Sequence, residues 1–171
     1  MKKEKNLITV AIDSPAAAGA GTQAKYISKE YNLLYLDTGK IYRLIGKIKL
    51  NKKKKLNYSF LKKKIKNINI EALNDKSLIS DEIANSASIV ARDIKIRKIV
   101  KNFQLDCAYN PPKKYSGSVL DGRDITSVIM KDAMFKFFIT ASVKTRAERR
   151  FKEYKKLKKH ISFNDVVKSI K

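Results

Sequence analysis

Leu7-Ile8-Thr9-Val10-Ala11-Ile12 is a continuous apolar, β-branched run that stops at Asp13 and opens onto Ser14-Pro15-Ala16-Ala17-Ala18-Gly19-Ala20-Gly21-Thr22, where no side chain is large. A run without alternation reads as a strand buried on both faces. The small residues after it lead into a helix through about Asn32, with Ala24, Ile27 and Tyr31 on one side. Leu33-Leu34-Tyr35-Leu36 is a second short strand, stopped by Asp37-Thr38-Gly39. Strand, small-residue loop, helix, strand is a βαβ unit. It commits the chain to an α/β fold with a parallel sheet.

The rest of the chain fits that frame. A helix carrying Ile41, Leu44, Ile45 and Ile48 follows the second strand. From Asn51 to Lys76 the pattern weakens into Lys-rich sequence, read as a mobile insert in which only Ile68-Asn69-Ile70 alternates like a strand. Ser80 caps a helix from Asp81 to about Ala91. Asp93 caps another, whose apolar face holds Ile96, Val100, Phe103 and Cys107 and which Asn110-Pro111-Pro112 ends. Ser118 to Leu120 is a strand stopping at Asp121-Gly122-Arg123-Asp124, and Phe135 to Ile139 is another. Ser142 caps a basic helix on which Arg146, Arg149 and Arg150 share one face. Ser162 to Asp165 is a capping box that opens an amphipathic helix bearing Val166, Val167 and Ile170.

Composition excludes several classes. The 171 residues, 43% of them hydrophobic, suffice for one domain with a real core. The lone Cys107 cannot form an internal disulfide, which removes the small secreted scaffolds and favours a reducing, cytoplasmic setting. No apolar run is long enough to cross a bilayer. Lys2, Lys3 and Lys5 before Leu7 to Ile12 resemble the start of a secretory signal, but Asp13 cuts the apolar stretch short and Glu4 dilutes the charge, so that reading is rejected. The formal charge of +23 invites a nucleic-acid surface. Its basic residues are nearly all Lys in runs such as Lys52 to Lys55, Lys62 to Lys64 and Lys158-Lys159, which favours a solvated face over a specific nucleic-acid partner. Arg is confined to Arg43, Arg92, Arg97, Arg123, Arg146, Arg149 and Arg150. Guanidinium grips phosphate bidentately where Lys cannot, so these positions are the first candidates for anion contacts.

Chemistry should sit where the strands end. Asp13-Ser14, Asp37-Thr38-Gly39 and Asp121-Gly122-Arg123-Asp124 all fall at that edge, where open parallel sheets bind ligands. The first loop is a defective phosphate-binding pattern: Ser14 stands for its first Gly, Gly19 fits, and Ala20 occupies the Lys position. Gly21-Thr22 supplies the turn into the helix and a hydroxyl suited to Mg²⁺. On the pattern alone, a phosphate site and an ordinary strand–helix turn both remain open.

The ordered set Ile12-Asp13-Ser14-Pro15 with Gly19-Ala20-Gly21-Thr22, Leu36-Asp37-Thr38-Gly39-Lys40-Ile41-Tyr42-Arg43, Glu82 to Ser88, Leu120-Asp121-Gly122-Arg123-Asp124 and Phe138 to Ser142 resembles the bacterial cytidylate kinases. These are P-loop nucleoside-monophosphate kinases that move the γ-phosphoryl group of ATP to CMP or dCMP. The resemblance implies a three-layer α/β/α fold with a parallel sheet. It implies a core over 1–50 and 77–171, a lid over about 146–160, and a shortened Lys-rich insert over 51–76 on the monophosphate side. ATP would lie on Ser14, Pro15, Ala16, Ala17, Ala18, Gly19, Ala20, Gly21 and Thr22, with Mg²⁺ at Thr22. CMP would meet Thr38, Tyr42, Arg43, Ser88, Arg97, Arg123 and Asp124. Arg43, Arg123, Arg146, Arg149 and Arg150 would act on the transferring phosphoryl group. ATP and CMP or dCMP are thus the expected partners of a cytoplasmic monomer with no membrane attachment.

Two departures stand out. Ala20 replaces the loop Lys, a loss worth roughly 10–150-fold in rate unless another cation substitutes, and an Arg of the basic helix is the expected substitute. The family's last strand and helix have no counterpart among these residues, so Phe135 to Ile139 is expected to be an apolar sheet edge that lowers solubility and activity. Competing readings are a related small kinase with an altered acceptor and a Lys-rich nucleic-acid-binding protein. The second leaves the strand-end carboxylates unexplained.

Overall fold

Four strands form one all-parallel sheet in the computed structural model, which describes residues 7–51, 56–157 and 160–170. Lys2, Lys3 and Lys5, the Lys52 to Lys55 run and Lys158-Lys159 lie outside the described residues. The strands are β1 (Ile8–Asp13), β2 (Leu33–Asp37), β3 (Gly117–Gly122) and β4 (Phe135–Phe138), in spatial order β2-β3-β1-β4. The helices are α1 (Ala20–Glu30), α2 (Thr38–Asn51), α3 (Tyr58–Lys66), α4 (Asp81–Val90), α5 (Ile94–Tyr109), α6 (Val143–Lys156) and α7 (Phe163–Ile170). None of the described helices is long and apolar enough to cross a membrane.

Both faces of β1, β2 and β3 are covered, as their unbroken apolar runs require. Val10, Ile12, Leu33 and Val119 pack under Ala20 and Ala24 of α1. Ala11, Leu34, Leu36 and Leu120 face the opposite way, onto Ile41 and Ile45 of α2 and Val100 and Cys107 of α5. Burial pushes the Cys107 thiol up to about 12, so it serves as a small core hydrophobe. The chain passes over β3 to reach β2, and it later returns to place β3 between β2 and β1. The crossovers on the two sides of β1 therefore diverge, the arrangement that in open parallel sheets puts ligand sites outside the strands' carboxyl ends.

The caps match the sequence reading. Ser80 Oγ accepts from Ile83 N, Asp93 Oδ1 from Lys95 N and Ile96 N, and Ser142 Oγ from Thr145 N. Ser162 Oγ accepts from Asp165 N and bonds the Asp165 carboxylate. Helices α2 and α4 approach so closely at Gly46 that a β-carbon there would lie 2.8 Å from Ala87 N. The Ser86 hydroxyl donates to Gly46 O across the same contact.

Three local expectations need correction. Ile68-Asn69-Ile70 is not a strand: no strand among the described residues pairs with it, and Ile68 and Ile70 instead pack on the core beside a 3₁₀ turn over Ile70–Asn74. The insert is not structureless either. α3 buries Leu61 and Ile65, and Tyr58 Oη donates to Asp93 Oδ2. Tyr31 lies past the end of α1 and is exposed rather than on its buried side. The expected apolar edge is present: among the described strands β4 pairs with β1 alone, and Phe135, Phe137 and Phe138 are exposed.

Candidate active site

The site grows from the turn between β1 and α1. Gly19 takes a left-handed backbone (φ 101°) as the residue before α1, and no side chain caps the helix start. Thr22 N and Gln23 N close on Gly19 O, and the start of the helix stays open to an anion in the favourable field of its N-terminus. Ala17 is also left-handed (φ 61°), at a position where Gly would be unstrained. Ser14 N donates to Gly122 O, tying the loop's start to the end of β3. Ala18 and Ala20 are buried, whereas the Thr22 side chain is exposed at the helix start.

Helices α6 and α7 clamp this loop from outside. Phe151 and Phe163 meet edge to face at 5.5 Å, and Ala17 packs against the same cluster as Val166 and Ile170. Arg149 Nη1 donates to Ala18 O at 2.6 Å. Arg146 is spread over carbonyls: Nε donates to Ala141 O at 3.2 Å, and Nη1 to Ala16 O at 3.4 Å and Ile170 O at 3.3 Å. Arg150 turns away to Glu153, 2.9 Å distant, and lies over the Tyr154 ring. The common face expected for the three arginines thus divides, with two on the loop and one off it.

The three strand-end carboxylates have different fates. Asp13 is buried and saturated, accepting from Ile125 N (2.6 Å), Thr126 N (3.1 Å) and Thr126 Oγ1 (2.5 Å). It staples the π-helical turn Ile125–Ile129 and so holds the preceding Arg123-Asp124 at the rim. Asp37 and Asp121 are register partners on β2 and β3, on the face covered by α1. Tyr35, two residues before Asp37, bonds the Asp121 carboxylate, and a β-carbon on Gly21 would lie 3.2 Å from the Tyr35 hydroxyl and 3.5 Å from Asp121 Oδ2. Burial and then the charge of Asp37 push the Asp121 carboxyl up to about 7. Tyr35 is driven upward by its own burial, reinforced by Asp121 and Asp37.

Asp121 Oδ1 is buried without a hydrogen-bond partner in the described structure. An orphaned carboxylate oxygen beside the start of α1 fits a hydrated cation. The described residues contain no group of three or more His, Cys, Asp or Glu that could cage a metal. Thr22 with one strand-end carboxylate instead suits Mg²⁺, which keeps its waters and leans on substrate phosphates.

The other half of the rim is polar and paired. Arg97 Nη2 on α5 meets Asp124 Oδ2 at 2.7 Å. Tyr42 on α2 is close enough to feel both charges: burial raises its hydroxyl, Arg97 opposes that and Asp124 adds to it. Arg43 Nη1 donates to Leu78 O at 2.9 Å, and Arg123 is exposed at the end of β3. Thr38 is buried and donates to Asp121 O at 2.8 Å, so its hydroxyl joins α2 to β3. Ser88 is exposed and donates to Asn85 O within its own helix. The structure therefore joins Tyr42, Arg97 and Asp124, whereas the Thr38 and Ser88 hydroxyls are engaged elsewhere. Sequence reasoning missed the separate role of Asp13 and the Tyr35–Asp121 contact. The alternation of Tyr35 and Asp37 on one face of β2 was the available signal for the latter.

Comparison with known proteins agrees with this geometry. A family profile described as cytidylate kinase matches residues 10–171. The chain is 40% identical to a cytidylate kinase of Clostridium botulinum (strain Hall), with 96% of this chain and 78% of that protein covered. It is 35% identical to one of Clostridium tetani (95% and 75% covered) and 36% identical to one of Bartonella bacilliformis (97% and 76% covered). With an uncapped helix start, a paired polar rim and this match over nearly its whole length, the chain belongs to the cytidylate kinase family of phosphotransferases.

Proposed function

We propose that this protein transfers the γ-phosphoryl group of ATP to CMP or dCMP, giving CDP or dCDP and ADP. The observation that carries this reading is the Arg97–Asp124 pair beside Tyr42, on the same sheet edge as the uncapped start of α1. Cytosine offers an amino donor next to ring and carbonyl acceptors, and an Arg–Asp pair complements that edge. A wrong base would leave those charges unmet. Ser88 is assigned to the same edge and Thr38 to the nucleotide beside Tyr42.

Residues Ser14 to Thr22 form the donor loop, with the uncapped start of α1 turned to the phosphates. Thr22 would hold Mg²⁺, with Asp121 as the nearby carboxylate, and the ion would supply neutralising charge to the donor phosphates. Arg43 and Arg123 hold the acceptor phosphate for in-line attack. Little covalent work falls to the protein; positioning and cations over oxygens that gain charge account for the rate. Residues 1–50 and 77–171 act as the core, 51–76 as the acceptor-side insert and about 146–160 as the lid, which excludes water as a competing acceptor.

A coupled ADP-release assay with Mg²⁺, ATP and each of CMP, dCMP, UMP and AMP tests the reading. CMP- or dCMP-dependent turnover is expected, at least tenfold above UMP and AMP. The substitution of Ala20 for the loop Lys favours one second reading, a small kinase of altered acceptor choice, which UMP or AMP preference would establish. No turnover with any acceptor, together with salt-sensitive oligonucleotide binding, would overturn both.

A further inference from the structure

The phosphate-binding pattern needs a cation at the mouth of its loop, and in this chain Ala20 stands where the pattern has Lys. We infer that Arg149 of α6 is the resident cation of the donor loop, taking from outside the loop the place of the missing lysine. The inference rests on the proposed phosphotransfer reading and deepens it.

The three candidate arginines are separated by what they already do. Arg146 is committed to carbonyls at Ala141, Ala16 and Ile170, and so fastens the α6–α7 hairpin to the loop. Arg150 is neutralised by Glu153 and covered by Tyr154. Among the described residues Arg149 meets no carboxylate. Its contact is Nη1 on Ala18 O, within the loop itself. The same nitrogen lies 3.2 Å from where a Gly19 β-carbon would stand. Gly19 thus meets two demands: the left-handed turn into α1, and room for a guanidinium against the backbone.

A guanidinium carries five N–H donors in a fixed fork. One contact on Ala18 O leaves the rest for phosphate oxygens at the adjoining helix start. The Ala20 methyl is buried beneath that start, so its own side chain brings no charge there. Because Arg149 is held before any nucleotide arrives, little reorganisation is needed when charge develops on the transferring group.

Four proteins test this: native, Arg149→Ala, Ala20→Lys and the double variant. Turnover with CMP and affinity for Mg·ATP (by titration calorimetry without acceptor) are measured for each, with thermal melts to confirm folding. Arg149→Ala is expected to lose 10–150-fold in kcat/KM for ATP. Ala20→Lys is expected to raise the Arg149→Ala variant at least tenfold more than it raises the native protein, because the two cations serve one position. Arg149→Lys keeps the charge but not the fork and should fall between native and Arg149→Ala. Equal effects of Ala20→Lys in both backgrounds, or an Arg149→Ala variant within threefold of native, would overturn the assignment. Failure of the kinase reading is distinguishable: the native protein would then show no acceptor-dependent turnover while the calorimetry still reports whether Arg149 governs Mg·ATP binding.

Discussion

Replacing Asp121 by Asn should stabilise the protein in a pH-dependent manner. The Asp121 carboxyl ordinarily titrates near 3.8 and is pushed up to about 7, first by burial and then by the charge of Asp37 on the neighbouring strand, with Tyr35 and Lys40 pulling the other way. Between those values the folded protein holds a proton that the unfolded chain has released. Stability is therefore unpenalised below about pH 4, falls as pH rises towards 7, and is level above it. At about 1.4 kcal/mol for each pH unit, the penalty approaches about 4 kcal/mol. Asn has nearly the same shape, keeps an acceptor for the Tyr35 hydroxyl and carries no charge. Urea unfolding of both proteins from pH 4 to pH 8, without Mg²⁺ or nucleotide, should show no difference at the acid end. The variant should be more stable by up to about 4 kcal/mol at pH 8, yet slower in phosphoryl transfer. A difference that does not change with pH, or one that favours the native protein as pH rises, would refute the reasoning.

Three further outcomes are expected. Asp13→Ala strands two backbone amides and the Thr126 hydroxyl in the interior and should cost about 2–4 kcal/mol in urea unfolding, with weakened CMP binding because the Arg123-Asp124 segment loosens. Gly46→Ala forces α2 and α4 apart and should lower stability by about 1–3 kcal/mol, measured by the same titration. Arg97→Ala breaks an ion pair in which both side chains are substantially exposed, so stability should change by less than about 1 kcal/mol while KM for CMP rises at least tenfold in steady-state kinetics.

Much of the molecule is dictated by local chemistry. Unbroken apolar runs can satisfy themselves only between two covered faces, so β1, β2 and β3 with α1, α2, α4 and α5 were legible in the sequence, whereas α3 was not. Ser80, Asp93, Ser142 and Ser162 announced helix starts because a short polar side chain meets amides that nothing else in the helix can satisfy. The scarcity of Arg in a Lys-rich chain singled out the candidates for anion contacts, since only guanidinium offers a planar fork. Ile68-Asn69-Ile70 was misread because alternation also suits a 3₁₀ turn on a core, and strand formation depends on a partner that tertiary structure alone supplies.

What the order of residues determined by itself was the parallel sheet, the small-residue loop with Ala20 where the phosphate-binding pattern has Lys, and which carboxylates stand at strand ends. Tertiary structure decided how those carboxylates divide: Asp13 met two amides and a hydroxyl and became a staple, whereas Asp121 was set in register with Asp37, under Tyr35, and kept an oxygen free. It likewise decided which two of three neighbouring arginines meet the loop and which turns to Glu153 instead. The physical reason is the same in both cases. A charged group's role follows from which partners the crossovers bring within about 3 Å, and that distance is set by strand order and helix docking.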